Sequence, residues 1–394
     1  MASSDEMVNV SEECRVSPPP NAVSEKSLPL TFFDLIWLHF HLAQSLFFYK
    51  FPHSKTHFIE TTIPSLKHSL SLALRHFYPF EGNLLFPPNL REPEIHYVDG
   101  DSVSMTFAEF NRDFAYLIKN HQRKVAHFYP LLPQLLYGNA FIRFIRLWAT
   151  IHKLQREPLM LEGAILPFYD RTMVKDPNKL GSIFWQHHQK IKFEGYRPLL
   201  PTSNILAAIL LSQVDLQRLK KGFGSMSNVV TCLKFYSSMC LHMGLHVKAR
   251  AWSGEEVSEN ELEHFIFVAD CRAHLDPTLP ENYFANLIGE AIQEKLGSNK
   301  GVLEGLDKWV VNFSSINIER AVGVAGSPGF AIYGIDFGLG QLQKRESISI
   351  DETRCISLHE GKDNKGDIEV GLSFPKIKMK AFASIFTDGL MVYD

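Results

Sequence analysis

The stretch Asp336-Phe337-Gly338-Leu339-Gly340 decides the fold of this chain, and it follows a run of small and apolar residues from Val324 to Ile335. Its two glycines allow the backbone to turn tightly where residues with a side chain are restricted. Strand-like runs at Ala331–Phe337 and Ser347–Ile350 border this turn. We therefore predict a tight loop between two strands in the C-terminal half.

Strand and helix signals alternate along the rest of the chain. Apolar residues at near-helical spacing predict amphipathic helices over Pro64–Phe77 and Phe141–Ile151. Strands are predicted at Ser203–Leu211 and Ile368–Phe374, and a last helix at Lys378–Leu390. This mixture, in two halves of similar length, favours an α/β fold with two domains. We place an N-terminal domain at residues 1–192, a crossover linker at 193–204 and a C-terminal domain at 205–394.

Composition narrows the class of protein. The chain has 394 residues, of which 45% are hydrophobic and 21% charged, and its formal net charge is −3. With this net charge and with dispersed Lys and Arg residues, the sequence shows no concentration of positive charge of the kind that binds nucleic acid. No apolar run reaches the roughly 18–20 residues of a membrane span, and the start of the chain lacks the pattern of a signal peptide. Five scattered cysteines suit a reducing compartment, so we expect a cytoplasmic protein without a membrane partner.

Several further segments, in order along the chain, resemble one family. The segments that carry the resemblance are Ser27-Leu28-Pro29-Leu30-Thr31-Phe32-Phe33-Asp34, Phe77-Tyr78-Pro79-Phe80-Glu81-Gly82-Asn83, Ala269-Asp270-Cys271-Arg272 and Tyr283-Phe284-Ala285-Asn286. With Asp336–Gly340, they resemble the BAHD family of plant acyl-CoA-dependent acyltransferases, in its clade that malonylates phenolic and flavonoid glucosides. Leu339 stands where the family has tryptophan, and Ala285 departs from the usual glycine.

The resemblance implies a fold and a reaction. The fold is a pair of chloramphenicol-acetyltransferase-like domains with the active-site channel at their interface. The reaction transfers an acyl group, here malonyl, from acyl-CoA to a hydroxyl of a phenolic or flavonoid glucoside. The histidine of a His-x-x-x-Asp motif acts as general base on that hydroxyl, since imidazole titrates near neutral pH. Acyl-CoA is a co-substrate, no cofactor or metal is required, and we expect a monomer.

The catalytic motif is not where the family has it. Tyr129–Leu135 is followed almost at once by Gly138–Phe144, which in the family comes directly after His-x-x-x-Asp. We infer a gap near residues 136–138 that removes core strands of the N-terminal domain. The sequence contains a His-x-x-x-Asp only at His359–Asp363, which we interpret as a chance match in a hairpin loop. We therefore assign no catalytic residue. The alternative function is that of an inactive relative or truncated isoform that at most binds CoA or glucoside ligands.

The remaining site residues follow from the resemblance. Asp336, Gly338 and Gly340 are expected to support the fold, with Arg272 as the buried ion-pair partner of Asp336. Arg171 is predicted to bind the acyl carboxylate, because a guanidinium can grip a carboxylate with two hydrogen bonds. A surface arginine beside Asp170 is an equally open interpretation. Lys248 is predicted to bind CoA phosphates, and no metal site is expected.

Overall fold

A computed structural model gives the architecture of the chain. It describes residues 8–38, 44–86, 93–132, 141–156, 166–190, 202–222, 248, 250–252, 254, 264–267, 272–283, 305–308, 312–313, 315–317, 320–353 and 355–391. The gap predicted near residues 136–138 lies outside these ranges. The linker predicted at 193–204 lies mostly outside them as well. The domain boundaries therefore stay predictions.

Strands and helices alternate along the described chain. The strands are β1 Val8–Val16, β2 Lys26–Pro29, β3 Ser45–Tyr49, β4 Asn83–Leu85, β5 Glu94–Tyr97, β6 Val103–Phe110, β7 Arg123–Lys124, β8 Ile205–Leu211, β9 His264–Phe267, β10 Ala321–Ala325, β11 Leu342–Ser347, β12 Ile356–Glu360 and β13 Ile368–Phe374. The helices are α1 Phe32–Leu35, α2 Lys55–His57, α3 Ile63–Leu74, α4 Phe114–Ile118, α5 Phe141–Leu154, α6 Leu180–Lys190, α7 Gln213–Gly222, α8 Ile350–Thr353 and α9 Lys376–Met391.

The largest sheet belongs mainly to the C-terminal half. Six strands lie in the order β7-β8-β13-β12-β10-β9, with antiparallel pairing at β8-β13 and β13-β12 and parallel pairing at β12-β10 and β10-β9. β13 is buried along its whole length, as expected for a central strand covered on both faces. Its apolar residues pack with those of β8, β12, α7 and α9 into one core.

The N-terminal half is built differently. β1 pairs with β6, and β2, β5 and β4 form a three-stranded sheet. Helices α3 and α5 pack against each other and supply most of a second core, which includes Leu70, Phe77 and Leu147. The DFGLG segment contributes Ile335 and Phe337 to this same core, although it lies far away in sequence.

One strand pair joins the two halves. β11, from the C-terminal half, runs antiparallel to β3, from the N-terminal half, with Leu342 opposite Tyr49 and Ser347 opposite Ser45. β7, also from the N-terminal half, completes the edge of the six-stranded sheet through β8. Each half therefore contributes a strand to a sheet with the other.

Most predicted elements are confirmed. The helices predicted over Pro64–Phe77, Phe141–Ile151 and Lys378–Leu390 correspond to α3, α5 and α9, and the strand at Ile368–Phe374 is β13. The strand predicted at Ser347–Ile350 is wrong, because β11 ends at Ser347 and α8 begins at Ile350. The strand predicted at Ala331–Phe337 is also wrong, because the chain there forms a 3-10 turn at Ile332–Gly334.

The cause of this error is the spacing of the buried residues. Ile332 and Ile335 both enter the core, three positions apart, and Ala331 has a positive φ of 45°. Neither feature suits a pleated strand, in which side chains alternate between faces.

No helix in the described part of the chain is both long and apolar enough to cross a bilayer.

Candidate functional site

The DFGLG loop turns on its two glycines, as the sequence predicts. Gly338 has φ +73° and Gly340 has φ +100°, values that side-chain-bearing residues rarely adopt. A Cβ added at Gly340 would lie 2.4 Å from the carbonyl oxygen of Lys50, just after β3. At Gly338 the nearest atom would be Lys153 Cγ, at 3.6 Å. Gly340 is therefore required both by its conformation and by close contact with the N-terminal half.

Phe337 fixes the loop in the core. Its ring meets that of Trp148 edge-on, with centroids 5.1 Å apart, and that of Tyr49 at 5.9 Å. Tyr49 also donates a hydrogen bond from its hydroxyl to the carbonyl of Ile335, at 3.0 Å. Edge-to-face aromatic pairs of this kind add to the stabilisation from burial. The loop is thus held between α5 and β3.

Asp336 pairs with a residue other than the one expected. Its carboxylate accepts a hydrogen bond from Lys153 Nζ at 2.5 Å and another from the Gly338 backbone N–H at 2.7 Å. The predicted partner Arg272 donates instead to the backbone carbonyl of Glu281. Moreover, the Asp336 side chain is 48% exposed, so the prediction of a buried pair is wrong. The Lys153 hydrogen bond is the main cause that lowers the Asp336 pKa.

Helix α5 supplies further partners that sequence reasoning missed. His152 donates from Nδ1 to the carbonyl of Phe337 at 2.6 Å, and Arg146 donates to the carbonyl of Ala331 at 2.9 Å. Together with Lys153, these residues hold the loop along one side of the helix. The available signal was the cluster of His152 and Lys153 in the last turn of a helix whose other side is apolar. An open cleft of about 550 Å³ borders the loop, and among the described residues that line it Asp336 is the charged one.

Arg171, the predicted carboxylate binder, already faces a carboxylate. Its Nη2 lies 3.7 Å from Asp34 Oδ2, and both side chains are largely buried. Its Nη1 donates to the Tyr283 hydroxyl at 3.3 Å, and the guanidinium also stacks over the Tyr283 ring. Arg171 therefore bridges α1 and the segment around Tyr283. The alternative of a surface arginine beside Asp170 does not describe this position.

A buried acid, Glu81, lies near Tyr78 and Tyr97. Glu81 follows Tyr78, is 6% exposed, and its two carboxyl oxygens have no hydrogen-bond partner among the described residues. Burial raises the pKa of Glu81 to about 9, and the negative charge of Asp101 adds to the rise. Glu81 also raises the pKa of Tyr97, although burial is the larger cause there. A carboxyl in this position is neutral at physiological pH.

The two members of the lone His-x-x-x-Asp are separated. His359 lies on β12, not in the hairpin loop where the sequence placed it, and it is buried beside Arg345. Burial lowers the pKa of His359 well below its usual range, and the charge of Arg345 lowers it further. Asp363 is exposed in the turn between β12 and β13. The pair therefore does not form a base and its orienting carboxylate.

Strand β11 brings a group of charged side chains into the interior. Arg123 Nη2 lies 2.6 Å from Glu346 Oε1, and Lys344 Nζ lies 2.7 Å from Glu369 Oε2. All four side chains are almost completely inaccessible to solvent.

Lys248, predicted to bind CoA, is exposed on a helical turn. Among the described residues, no three His, Cys, Asp or Glu side chains come together as a metal site would require.

Comparison with known proteins decides the family. The model of the transferase family matches residues 6–154. The malonyl-coenzyme A:anthocyanin 3-O-glucoside-6''-O-malonyltransferase of Dahlia pinnata is 34% identical over 461 residues, which cover 97% of this chain and 97% of that protein. The chain belongs to the BAHD family. Phenolic glucoside malonyltransferase 1 of Nicotiana tabacum is 33% identical over 98% of this chain and 99% of its own length.

Solved BAHD-type structures share the fold. Vinorine synthase superposes with a TM-score of 0.66 at 14% identity, covering 95% of this chain and 96% of that one. F. graminearum TRI101, complexed with coenzyme A and deoxynivalenol, gives 0.54 at 11% identity, covering 94% and 96%. At such identities the likeness concerns the fold alone. The predicted two-domain α/β acyltransferase fold is confirmed.

The relatives are longer than this BAHD chain. The alignment with the Dahlia protein extends over 461 residues, whereas the chain has 394, so dozens of aligned residues have no counterpart here. Both ends of the relative are nevertheless nearly covered. The position assigned to the gap, near residues 136–138, remains a prediction.

Proposed function

We propose that this BAHD protein transfers a malonyl group from malonyl-CoA to a hydroxyl of a phenolic or flavonoid glucoside. The observation that carries the proposal is similarity along almost the whole chain to proteins named for this reaction. Three of them, from Dahlia pinnata, Nicotiana tabacum and Salvia splendens, are 33–34% identical over 96–98% of the chain. Because these relatives are named for malonyl transfer to glucosides, the proposal requires that the chain bind a donor with a free carboxylate and an acceptor that carries a sugar.

The proposed reaction needs a base. The acceptor hydroxyl must lose its proton as its oxygen attacks the thioester carbonyl, and the tetrahedral oxyanion then expels CoA as a thiolate. In the described part of the chain His359 and Asp363 do not provide this base, because His359 is bonded to Arg345 and Asp363 is exposed. This separation favours a second candidate function, in which the protein binds malonyl-CoA or a glucoside without appreciable turnover.

Turnover and binding should be measured on the same purified chain. Malonyl-CoA is mixed with a set of phenolic and anthocyanin glucosides, and malonylated product is quantified by mass spectrometry, with the Dahlia relative as positive control. A rate about 100- to 10,000-fold below that control is expected if the catalytic motif is missing, as the sequence predicts. Binding without any product supports the second function. Absence of malonyl-CoA binding by calorimetry contradicts the first function, and absence of binding of malonyl-CoA and of the glucosides contradicts both.

A matched variant tests the lone motif. Asp363 is exposed and outside the machinery assigned above, so Asp363→Asn should leave the rate of product formation unchanged. Loss of turnover in Asp363→Asn would show that the chance-match interpretation is wrong.

A cytoplasmic location and a monomeric state also belong to the proposal. Fluorescent fusion and light scattering on purified protein test these two properties.

A further inference from the structure

Asp351 is a buried carboxylate at the place where the chain passes between the two halves. It lies on α8, the short helix that follows β11, and it is 5% exposed. Its Oδ2 accepts a hydrogen bond from the Tyr129 hydroxyl at 2.7 Å. Its Oδ1 accepts three more, from Ser373 Oγ, Thr202 Oγ1 and Asn204 Nδ2, at 2.6, 2.8 and 2.9 Å respectively. All of these donors are neutral groups, three hydroxyls and one amide.

The donors come from three separate parts of the chain. Tyr129 belongs to the N-terminal half, in a 3-10 turn shortly after β7. Thr202 and Asn204 lie at the end of the predicted crossover linker, just before β8. Ser373 is on β13, the buried central strand of the six-stranded sheet. Asp351 therefore bonds at once to the N-terminal half, to the connection between the halves and to the C-terminal sheet.

The segments that Asp351 joins are also bonded to each other. The Val125 N–H donates to the Asn204 carbonyl at 3.1 Å, and Arg123 pairs with Leu206 across β7 and β8. Apolar residues from both halves form one core in this region, which includes Val125, Phe128, Leu206, Ile348 and Ile350. Because these contacts and the bonds to Asp351 involve the same short segments, loss of the carboxylate weakens several of them together.

A second buried aspartate provides a comparison. Asp367 is 4% exposed and accepts hydrogen bonds from the Gln213 backbone N–H and from Asn364 Nδ2, both at 3.0 Å. These donors are neutral as well, but they belong to the C-terminal half, as Asp367 itself does. Asp367 therefore joins elements of one half, whereas Asp351 joins the two halves.

We propose that Asp351 is a lock between the two halves, which open at this place only when its hydrogen bonds break. A hydrogen bond to an ionised acceptor is roughly twice as strong as one between neutral groups, so a single carboxylate can hold all of these segments. Proteins open locally in cooperative units. The Tyr129 segment and the end of the crossover linker therefore open together, as one unit. This inference goes beyond the proposed function and does not require it.

Hydrogen exchange measured by mass spectrometry on the whole chain tests the lock. In Asp351→Asn the negative charge is lost and one acceptor oxygen becomes an NH₂ donor, so the hydrogen bonds are weakened or lost. We expect exchange to become about 10- to 100-fold faster in residues 123–132 and 202–208 together. Exchange in β1, β6 and α3, which lie outside the lock, should stay unchanged. The proposal is overturned if exchange rises only in the C-terminal half, rises equally in every element, or does not change.

Two further variants separate a lock between the halves from an ordinary buried residue. Asp367→Asn is the matched control, and it should speed exchange only within the C-terminal half. An equal rise in residues 123–132 of this variant would show that Asp351 has no special role. Tyr129→Phe removes only the bond to the N-terminal half, so exchange should rise in residues 125–132 and less in residues 202–208. This variant carries the test alone if Asp351→Asn does not fold, and unchanged exchange in it would then overturn the proposal.

Discussion

The two halves of the molecule differ in how their strands are used. Six strands of the C-terminal sheet form one continuous surface, and its central strand β13 is buried throughout. Apart from β7, the described N-terminal strands are divided among smaller sheets of two or three, and β1 is largely exposed along one side. Small sheets leave more strand edges and bury less apolar surface per residue. The N-terminal half therefore depends more on helix packing and on contacts with the other half.

Buried charged groups differ in whether they have a partner. Lys344 of β11 pairs with Glu369 of β13, and Arg123 of β7 in the N-terminal half pairs with Glu346 of β11. In the N-terminal half the buried carboxyl of Glu81 has no hydrogen-bond partner among the described residues. A polar group buried without a partner costs stability, whereas a paired one is roughly neutral. We therefore expect the buried Glu81 carboxyl to lower the stability of the N-terminal half.

The largest expected effect concerns the buried ion pair that joins the two halves, between Arg123 of β7 and Glu346 of β11. Glu346→Gln leaves Arg123 buried without its carboxylate and should lower the free energy of unfolding by about 3–5 kcal/mol. Urea denaturation followed by circular dichroism measures this change. Glu109→Gln is the control, because the Glu109–Lys55 pair is exposed and should contribute less than about 1 kcal/mol. Equal effects of the two variants would show that burial does not make the contact between the halves depend on this pair.

The next effect concerns the contact between the halves at Gly340. Gly340→Ala places a methyl group against the Lys50 carbonyl and should cost about 2–4 kcal/mol. Gly338 also has a positive φ, but an added methyl group would meet Lys153 only at ordinary van der Waals distance, so a loss nearer to about 1 kcal/mol is expected for Gly338→Ala. Hydrogen exchange should show that Gly340→Ala loses protection first in β3 and α5. Uniform loss across both halves would contradict the view that the N-terminal half depends on this contact.

Glu81 gives the third prediction, in which stability rises. Its folded pKa, about 9, exceeds the unfolded value, so wild-type stability is complete below pH 4.5 and falls as the pH rises towards 9. Glu81→Gln removes this titration and should raise the free energy of unfolding by about 1–3 kcal/mol at pH 7.5. Thermal unfolding from pH 5 to pH 9 should show the two proteins converging at the acidic end. A constant difference between them would mean that Glu81 does not titrate as proposed.

Local patterns in the sequence were sufficient for much of the fold. Helices α3 and α5 follow from apolar spacing, because each has one face against the other in the core. Strand β13 follows from its continuous apolar run. The strand prediction at Ala331–Phe337 failed although its apolar residues are buried as those of a strand would be. The buried residues lie three positions apart in a 3-10 turn and do not alternate as in a strand. An apolar composition therefore indicates that a segment is buried, and the spacing of its apolar residues indicates its conformation.

The site was predicted less completely, for a physical reason. The tight turn at Gly338 and Gly340 was predicted because a positive φ favours glycine, so the residue type itself indicates the conformation. No residue type indicates the pairing of Asp336 with Lys153, because the two residues are 183 positions apart and any cation near the loop could pair with Asp336. Likewise, the absence of a hydrogen-bond partner for the Glu81 carboxyl among the described residues depends on which groups the fold places around it. Such properties belong to the assembled structure.

The smallest expected effect lies at Asp336, the residue that first identified the fold. Lys153→Ala removes an ion pair whose side chains are 53% and 48% exposed, and it should lower the free energy of unfolding by less than about 1 kcal/mol. The Gly338 N–H hydrogen bond remains and keeps the turn in place. Because surface pairs are screened, the difference from wild type should shrink between 0.05 and about 0.5 M salt, on the order expected from the Debye length. A loss of several kcal/mol that is independent of salt would mean that the pair behaves as a buried one and that the loop depends on its charge as well as on Gly340 and Phe337.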